Sequence, residues 1–140
     1  MSQTVSVSLD VELKSPIGRV WEALTDPAIL SKWMMFETKD FRPVVGHKFQ
    51  FRMSPDPSWT VIVDCEVLVV DEPHQLSYTW VVESQSHNTT VTWTLSESED
   101  GGTRLRLEQS GFKSDAKQEI GGAKSGWKHM LEQLAILLAS

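Results

Sequence analysis

The stretch Val5–Lys14, with the sequence VSVSLDVELK, alternates apolar and polar side chains with a period of two residues. This period places every aliphatic side chain of the stretch on one face of an extended strand. Five later segments repeat the pattern, including Phe49–Met53 (FQFRM) and Arg104–Glu108 (RLRLE). A sheet with one apolar face must cover that face with another element. The sequence therefore predicts a sheet and, elsewhere in the chain, an apolar cover for it.

The C-terminal segment is suited to be this cover. From Trp127 to Leu138, tryptophan, methionine and leucine recur at the three- and four-residue spacing of an amphipathic helix. Glycine lowers helix propensity by about 1 kcal/mol, and glycines stand at positions 121, 122 and 126. We therefore expect a firm helix from about Lys124 and a looser segment before it. A helix packed across the sheet would enclose a hollow lined by aromatic and methionine side chains.

Two short helices are expected after the first strand. Ser15-Pro16 is an N-cap residue followed by proline at the first helical position, and the apolar residues of Ile17–Leu24 have helical spacing. Thr25–Pro27 repeats the start signal, which predicts a second helix to about Trp33. The rest of the chain up to residue 110 contains strand and turn signals that indicate antiparallel neighbours. The predicted strands cover residues 4–14, 47–53, 59–70, 76–82, 90–95 and 103–109, with a further short segment at 36–41.

Length, charge and cysteine content restrict the class of protein. With 140 residues, the chain has the size of one domain, which we place at residues 1–140. The net charge of −6 argues against nucleic acid and anionic membranes as main partners, because both require clustered lysine and arginine. The single cysteine, Cys65, excludes an intrachain disulfide and suits a reducing compartment, so we expect a cytoplasmic location. No signal peptide is expected, and the longest apolar stretch, Leu134–Ala139, is too short to span a bilayer.

Several motifs carry a family resemblance. They are Val20–Pro27 (VWEALTDP), Leu76–Trp80 (LSYTW), Thr90–Leu95 (TVTWTL), Gln109–Phe112 (QSGF) and Gly126-Trp127. With the element order, they resemble the family named for the activator of the heat-shock protein 90 ATPase, within the START-like (SRPBCC, birch-pollen-allergen-like) superfamily. The resemblance covers essentially the whole chain and implies a helix-grip fold of the α+β class, in which a long C-terminal helix packs over a curved antiparallel sheet. Because the motif residues are mostly packing residues, they say more about the fold than about the function.

The resemblance also implies a ligand-binding module, since stand-alone relatives are taken to bind small hydrophobic molecules. We expect an aromatic or lipid-like ligand between the C-terminal helix and the concave sheet. Six tryptophans agree with this, because an indole offers a large flat apolar surface. Trp80 and Trp93 are also typical core aromatics, and both interpretations are compatible in such a domain. The expected lining residues are Trp33, Met35, Phe49, Phe51, Tyr78, Trp80, Trp93, Trp127 and Leu131.

Four polar residues are placed on the inward faces, namely His47, Cys65, Tyr78 and Gln109. A mostly apolar pocket uses a few such groups to orient a ligand, although each residue alone is more typical of a satisfied packing residue. No catalytic residue, metal site or cofactor is predicted. The histidines lack a paired-ligand spacing, and the sequence contains no nucleophile elbow, phosphate loop or dinucleotide fingerprint.

The segment Trp33–Phe36 (WMMF) has two equally supported interpretations. It is either a plug at the end of the core or a pliable entrance to the hollow, because methionine adapts to varied shapes. If this segment is exposed, it also suits a homodimer contact.

Two other functions stay open. The resemblance implies a stress-related co-chaperone acting on heat-shock protein 90, although this chain corresponds to the START-like domain and not to the separate domain that engages the chaperone. Related START-like branches also include polyketide cyclases and aromatases, which need an acid or base in the cavity. His47 and Tyr78 are the candidates for that role. Whether the chain is an enzyme is left open, with binding alone favoured.

Replacing Trp80 by alanine should weaken the binding of a hydrophobic ligand more than Arg106→Ala does. The alternation places Trp80 on the inner face of the sheet and Arg106 on the outer face. Calorimetric titration of both variants with one ligand measures the difference. Equal dissociation constants for the two variants would contradict the placement of Trp80.

Overall fold

A computed structural model of the chain describes residues 4–34, 36–38, 40–83 and 88–139, without the side chains of residues 55, 56 and 59. Over these residues the sheet has the strand order β1-β6-β5-β4-β3-β2, with every neighbouring pair antiparallel. This confirms the predicted α+β helix-grip fold with its curved sheet. The elements are β1 (Thr4–Leu13), α1 (Ile17–Thr25), α2 (Pro27–Trp33), β2 (Lys48–Asp56), β3 (Trp59–Asp71), β4 (Gln75–Val82), β5 (Asn88–Glu97), β6 (Thr103–Lys113) and α3 (Lys117–Ala139).

Both short helices form where the sequence predicts them, but only one begins with the expected cap. The carboxylate of Asp26 accepts a hydrogen bond from the backbone N–H of Ala28 at 2.9 Å, with Pro27 at the first position of α2. The prediction that Ser15 caps α1 is wrong, because no side chain caps that helix. The Ser15 hydroxyl instead donates to the carbonyl of Leu138 at 3.3 Å. Ser15 therefore connects the start of α1 to the end of α3.

Helix α3 is continuous from Lys117 to Ala139, so the looser segment expected before Lys124 is helical as well. The glycines lie inside the helix and do not interrupt it. Glycine costs helix stability, but Ala116 before the helix and Trp127 within it are both buried, and this packing on the sheet offsets the cost. None of the described helices is long and apolar enough to cross a membrane.

The predicted alternation holds on β4 and β5 and fails where a bulge shifts the register. Tyr78 and Trp93 are buried as expected. On β3, the pairing with β4 shifts between Val67 and Val69. Strict alternation would put Val69 on the same inward face as Cys65, but Val69 is 38% exposed. The bulge inserts an extra residue and moves the apolar face to Val70, which packs against the core.

Three predicted boundaries also change. The strand expected at residues 36–41 is reduced to a single bridge between Glu37 and Arg52. Strands β2 and β3 extend toward each other and pair as far as Asp56 and Trp59, so most of the loop expected there belongs to a hairpin. Strand β6 continues past its predicted end at Gln109 to Lys113.

A glycine bulge allows β6 to continue and positions the end of the sheet. Gly111 has a φ of +99°, and a Cβ atom added there would lie 2.8 Å from the carbonyl oxygen of Asn88. The register of β6 against β1 shifts between the Gln109 and Phe112 pairs. Both of these side chains are therefore buried, although three positions separate them. Without the extra residue, alternation would turn Phe112 to the opposite face.

Gly111→Ala should destabilise the protein by about 1–2 kcal/mol more than Gly46→Ala, because only the first adds a steric clash. Gly46 has a similar φ of +90°, but its Cβ would meet nothing within 4 Å. Both variants therefore add left-handed strain, and their difference isolates the close approach to Asn88. Urea unfolding measures the two free energies of unfolding. Equal losses would show that β6 adapts to the added methyl group without cost.

Candidate functional site

A continuous series of aromatic side chains occupies the interior between the sheet and α3. Neighbouring ring centroids lie 4.8–5.9 Å apart, mostly in edge-to-face or tilted geometry, which the ring quadrupole favours. Each ring of the series contacts the next one. In order of contact the series runs Phe41, Phe49, Phe51, Trp80, Trp127, Trp93 and Trp33.

A cavity of about 450 Å³ lies beside the middle of this series, under the N-terminal half of α3. Its walls are largely apolar, with the indoles of Trp80 and Trp127 in contact at a centroid distance of 5.2 Å. Phe112 reaches the cavity because of the bulge at Gly111. The other described apolar side chains that line it are Phe36, Met53, Val82 and Met130.

Small residues on α3 create the space on the helix side. Gly122, Ala123 and Gly126 line the cavity from one face of the helix. A Cβ atom added at Gly122 would meet nothing within 4 Å. Gln118 and Gly122 are exposed to solvent as well as lining the cavity. The cavity therefore opens to solvent along this side of α3.

A buried chain of hydrogen bonds lies at the inner wall of the cavity. The indole nitrogen of Trp127 donates to Gln109 Oε1 at 2.7 Å, and Gln109 Nε2 donates to Thr89 Oγ1 at 2.9 Å. The Thr89 hydroxyl donates to the backbone carbonyl of Trp80 at 2.6 Å. Gln109 and Thr89 are each 3% exposed, so the inner wall of the cavity carries buried polar groups that are held in place by their hydrogen bonds.

The structure separates the predicted lining residues into two groups. Trp80 and Trp127 line the cavity. Met35 lies outside the described residues. The others are buried in the core and are not among the described residues that line the cavity, so their contact with a ligand stays a prediction; they are Trp33, Phe49, Phe51, Tyr78, Trp93 and Leu131.

Some cavity residues were missed because their positions lay outside the predicted elements. Thr89 precedes the predicted start of its strand, and Phe112 follows the predicted end of β6. The glycine in the QSGF motif was the available signal for a bulge. Gly122 and Gly126 were interpreted as helix breakers, whereas their position on the inner face of α3 makes them spacers.

The other polar residues predicted to face inward do not line the described cavity. The Tyr78 hydroxyl is buried and accepts a hydrogen bond from the indole nitrogen of Trp93 at 2.9 Å, and burial raises the pKa of Tyr78. His47 is partly exposed, stacks on Phe49 and hydrogen-bonds the carbonyl of Asp40. The two candidates for acid or base catalysis therefore lie elsewhere. In the described part of the chain, no three histidine, cysteine, aspartate or glutamate side chains are grouped to hold a metal ion.

The segment Trp33–Phe36 is buried at its three described positions, Trp33, Met34 and Phe36. The indole nitrogen of Trp33 donates to the carbonyl of Ala23 at 2.9 Å. The interpretation as a plug at the end of the core therefore fits these three residues. The homodimer contact was predicted for the case that this segment is exposed, whereas these three residues are buried.

The profile of the family described as "Activator of Hsp90 ATPase homolog 1-like protein" matches residues 14–139. The chain belongs to this family. The predicted recognition of the family and its START-like fold is thereby confirmed. No curated protein matches the chain.

Solved structures resemble this family member over nearly its whole length. Protein MLL2253 from Mesorhizobium loti is 40% identical, with a TM-score of 0.84 over 96% of this chain and 97% of that chain. CalU16 from Micromonospora echinospora is 25% identical, with a TM-score of 0.72 over 98% of this chain and 76% of that chain. DynU16, a protein of the dynemicin biosynthetic locus, is 24% identical, with a TM-score of 0.79 over 96% of this chain and 47% of that chain. DynU16 shows similarity of fold alone.

Cys65 should be unreactive in the folded protein. It is buried, and its burial raises the pKa of the thiol, so the reactive thiolate is scarce at neutral and mildly alkaline pH. We expect Ellman's reagent at pH 8 to label the native protein roughly a hundredfold more slowly than the protein in guanidinium chloride. Because the chain has one cysteine, absorbance at saturation reports this residue alone. Labelling at the free-thiol rate in the native state would contradict its placement.

Proposed function

We propose that this domain binds a small, mostly apolar ligand, aromatic or lipid-like, in the cavity between α3 and the sheet. The observation that carries the proposal is the cavity of about 450 Å³ with two indole walls. Ligand pockets in proteins have volumes of about 300–1,000 Å³ and combine apolar walls with a few placed polar groups. The cavity beside Trp80 and Trp127 has both properties.

The distribution of packing supports this proposal. Contacting aromatic rings form a continuous part of the core, and burying apolar surface stabilises a fold by about 25 cal/mol per Å². An empty volume gives up that stabilisation, because its lining atoms lack contacts on one side. Glycine at positions 122 and 126 keeps the volume open. A larger residue at either position would fill the volume and would also be a better helix former. A bound apolar molecule would restore the missing contacts.

The two residues predicted as acid or base candidates, His47 and Tyr78, are not among the described residues that line the cavity, and the proposal is therefore binding without an assigned catalytic residue. A chaperone contact is implied by the family resemblance, and a cytoplasmic location by the cysteine content. The homodimer contact was predicted only for an exposed Trp33–Phe36 segment. Native mass spectrometry of the purified protein tests the binding proposal directly, through the mass of any co-purifying molecule.

Gly122→Leu should weaken binding of the neutral fluorescent probe N-phenyl-1-naphthylamine, because the added side chain occupies the cavity from α3. We expect the dissociation constant to rise about tenfold, which corresponds to about 1.4 kcal/mol. Fluorescence titration of the probe against wild-type protein and variant measures this change.

Gly121→Leu is the matched control for this experiment. Gly121 is the neighbouring residue of the same helix, its Cβ would also meet nothing within 4 Å, and it does not line the cavity. Each variant replaces a helical glycine and should stabilise α3 by up to about 1 kcal/mol, so lost binding could not be ascribed to unfolding. Probe binding that is unaffected in both variants, or lost equally in both, would count against the cavity as the site.

A further inference from the structure

We infer that the cavity selects an uncharged ligand that presents a hydrogen-bond acceptor, such as a ketone or ether oxygen, to the side-chain amide of Gln109. This inference rests on the proposed function, since it specifies the chemistry of a ligand in the same cavity. It follows from the direction of the buried hydrogen bonds and from the kinds of side chain that surround them.

The orientation of the Gln109 amide is determined by its partners. An indole N–H can only donate, so the atom that meets Trp127 Nε1 at 2.7 Å must be the amide oxygen. The amide nitrogen therefore faces Thr89 Oγ1 and donates to it at 2.9 Å. The Thr89 hydroxyl has one hydrogen, and it donates that hydrogen to the carbonyl of Trp80. Each step of the chain is fixed by the step before it.

The hydrogen bonds among the described residues leave one hydrogen of this amide for a ligand. Gln109 Nε2 carries two hydrogens, and its bond to Thr89 uses one. The described residues provide no partner for the second, and Gln109 lines the cavity. The hydrogen bond accepted at Oε1 polarises the amide and strengthens its nitrogen as a donor. A ligand oxygen or other acceptor would satisfy this donor, whereas a purely apolar ligand would leave it without a partner.

The ionisable groups around the cavity disfavour an anion. The described lining residues include one acidic side chain, Glu119, and no lysine, arginine or histidine. Glu119 also occupies the first turn of α3, the end of a helix that otherwise attracts anions. A ligand carboxylate would lose its hydration without gaining a cationic partner. Neutral acceptors should therefore bind better than fatty acids or aromatic acids.

Three naphthalene derivatives of nearly equal shape separate these possibilities. 2-Acetylnaphthalene carries a neutral acceptor, 2-isopropylnaphthalene replaces it with an apolar group, and 2-naphthoate replaces it with a charged one. Equilibrium dialysis at pH 7 with absorbance detection gives three dissociation constants. We expect the ketone to bind about five- to tenfold more tightly than the hydrocarbon, as one hydrogen bond provides, and the carboxylate to bind most weakly.

Variants of Gln109 test whether this residue is the source of the preference. Gln109→Met keeps the length of the side chain and removes the donor, so the ratio of ketone to hydrocarbon affinity should fall to about one. Gln109→Glu is the second variant, because it keeps an oxygen for Trp127 while removing both N–H groups of the amide, including the one that donates to Thr89. Circular dichroism and urea unfolding verify that each variant is folded. Gln133→Met is the matched control, since Gln133 is an exposed residue of α3 that is not among the described residues lining the cavity, and its replacement should leave the ratio unchanged.

The outcomes separate this inference from the proposed function. Binding of none of the three compounds would count against the proposed function. Equal binding of ketone and hydrocarbon to wild-type protein, or a ketone preference that survives in both folded Gln109 variants, would overturn the inference while the binding function stands. Tightest binding of 2-naphthoate would overturn the preference for uncharged ligands.

Discussion

Helix α3 has to cover the apolar face of a sheet, and the remaining features of the molecule depend on how completely it does so. Toward its C-terminal end the helix buries Leu131 and Leu134 and closes the interface. In its N-terminal half, glycine and alanine replace such residues, and the interface stays open as a cavity. A single helix thus stabilises the fold at one end and forms the proposed site at the other. The two roles compete, since every larger residue on the inner face would improve packing and remove volume.

The polar chain at the cavity wall is the second consequence of this arrangement. Trp127 lies where the closed part of the interface meets the open part, and its indole nitrogen is buried with the ring. A buried N–H needs an acceptor, and Gln109 from β6 supplies it. The hydrogen bond to the Trp127 indole thus brings the amide of Gln109 to the cavity wall, together with the Thr89 hydroxyl that the amide contacts. The polar groups that would orient a ligand therefore also connect α3 to the sheet.

The sequence predicted the faces of the strands well and the shape of the cavity poorly. Alternation correctly placed Tyr78 and Trp93 in the interior, because a regular strand has a fixed period. It failed at Val69, where a bulge changes the face of every later residue. The alternation placed Trp80 and Phe49 on the same inner face and could not tell which of them lines the cavity. It gives the face of a residue but not the side chains that pack against it. Volume depends on which side chains meet across the interface, and this is a property of the packed structure.

Among the motifs that carry the family resemblance, one builds the first two helices and two others line the cavity. Residues of Val20–Pro27 build the first two helices, through the buried Trp21 and the cap formed by Asp26. The two motifs near the C-terminus, QSGF and Gly126-Trp127, instead form the cavity. Gln109, Phe112, Gly126 and Trp127 all line it, and Gly111 provides the bulge that places two of them. A buried glutamine amide is costly to desolvate when it lacks partners, and leucine at this position would pack against Trp127 without that cost. The presence of an amide beside an open volume is thus more readily explained by recognition of a polar group on a ligand than by the stability of the fold.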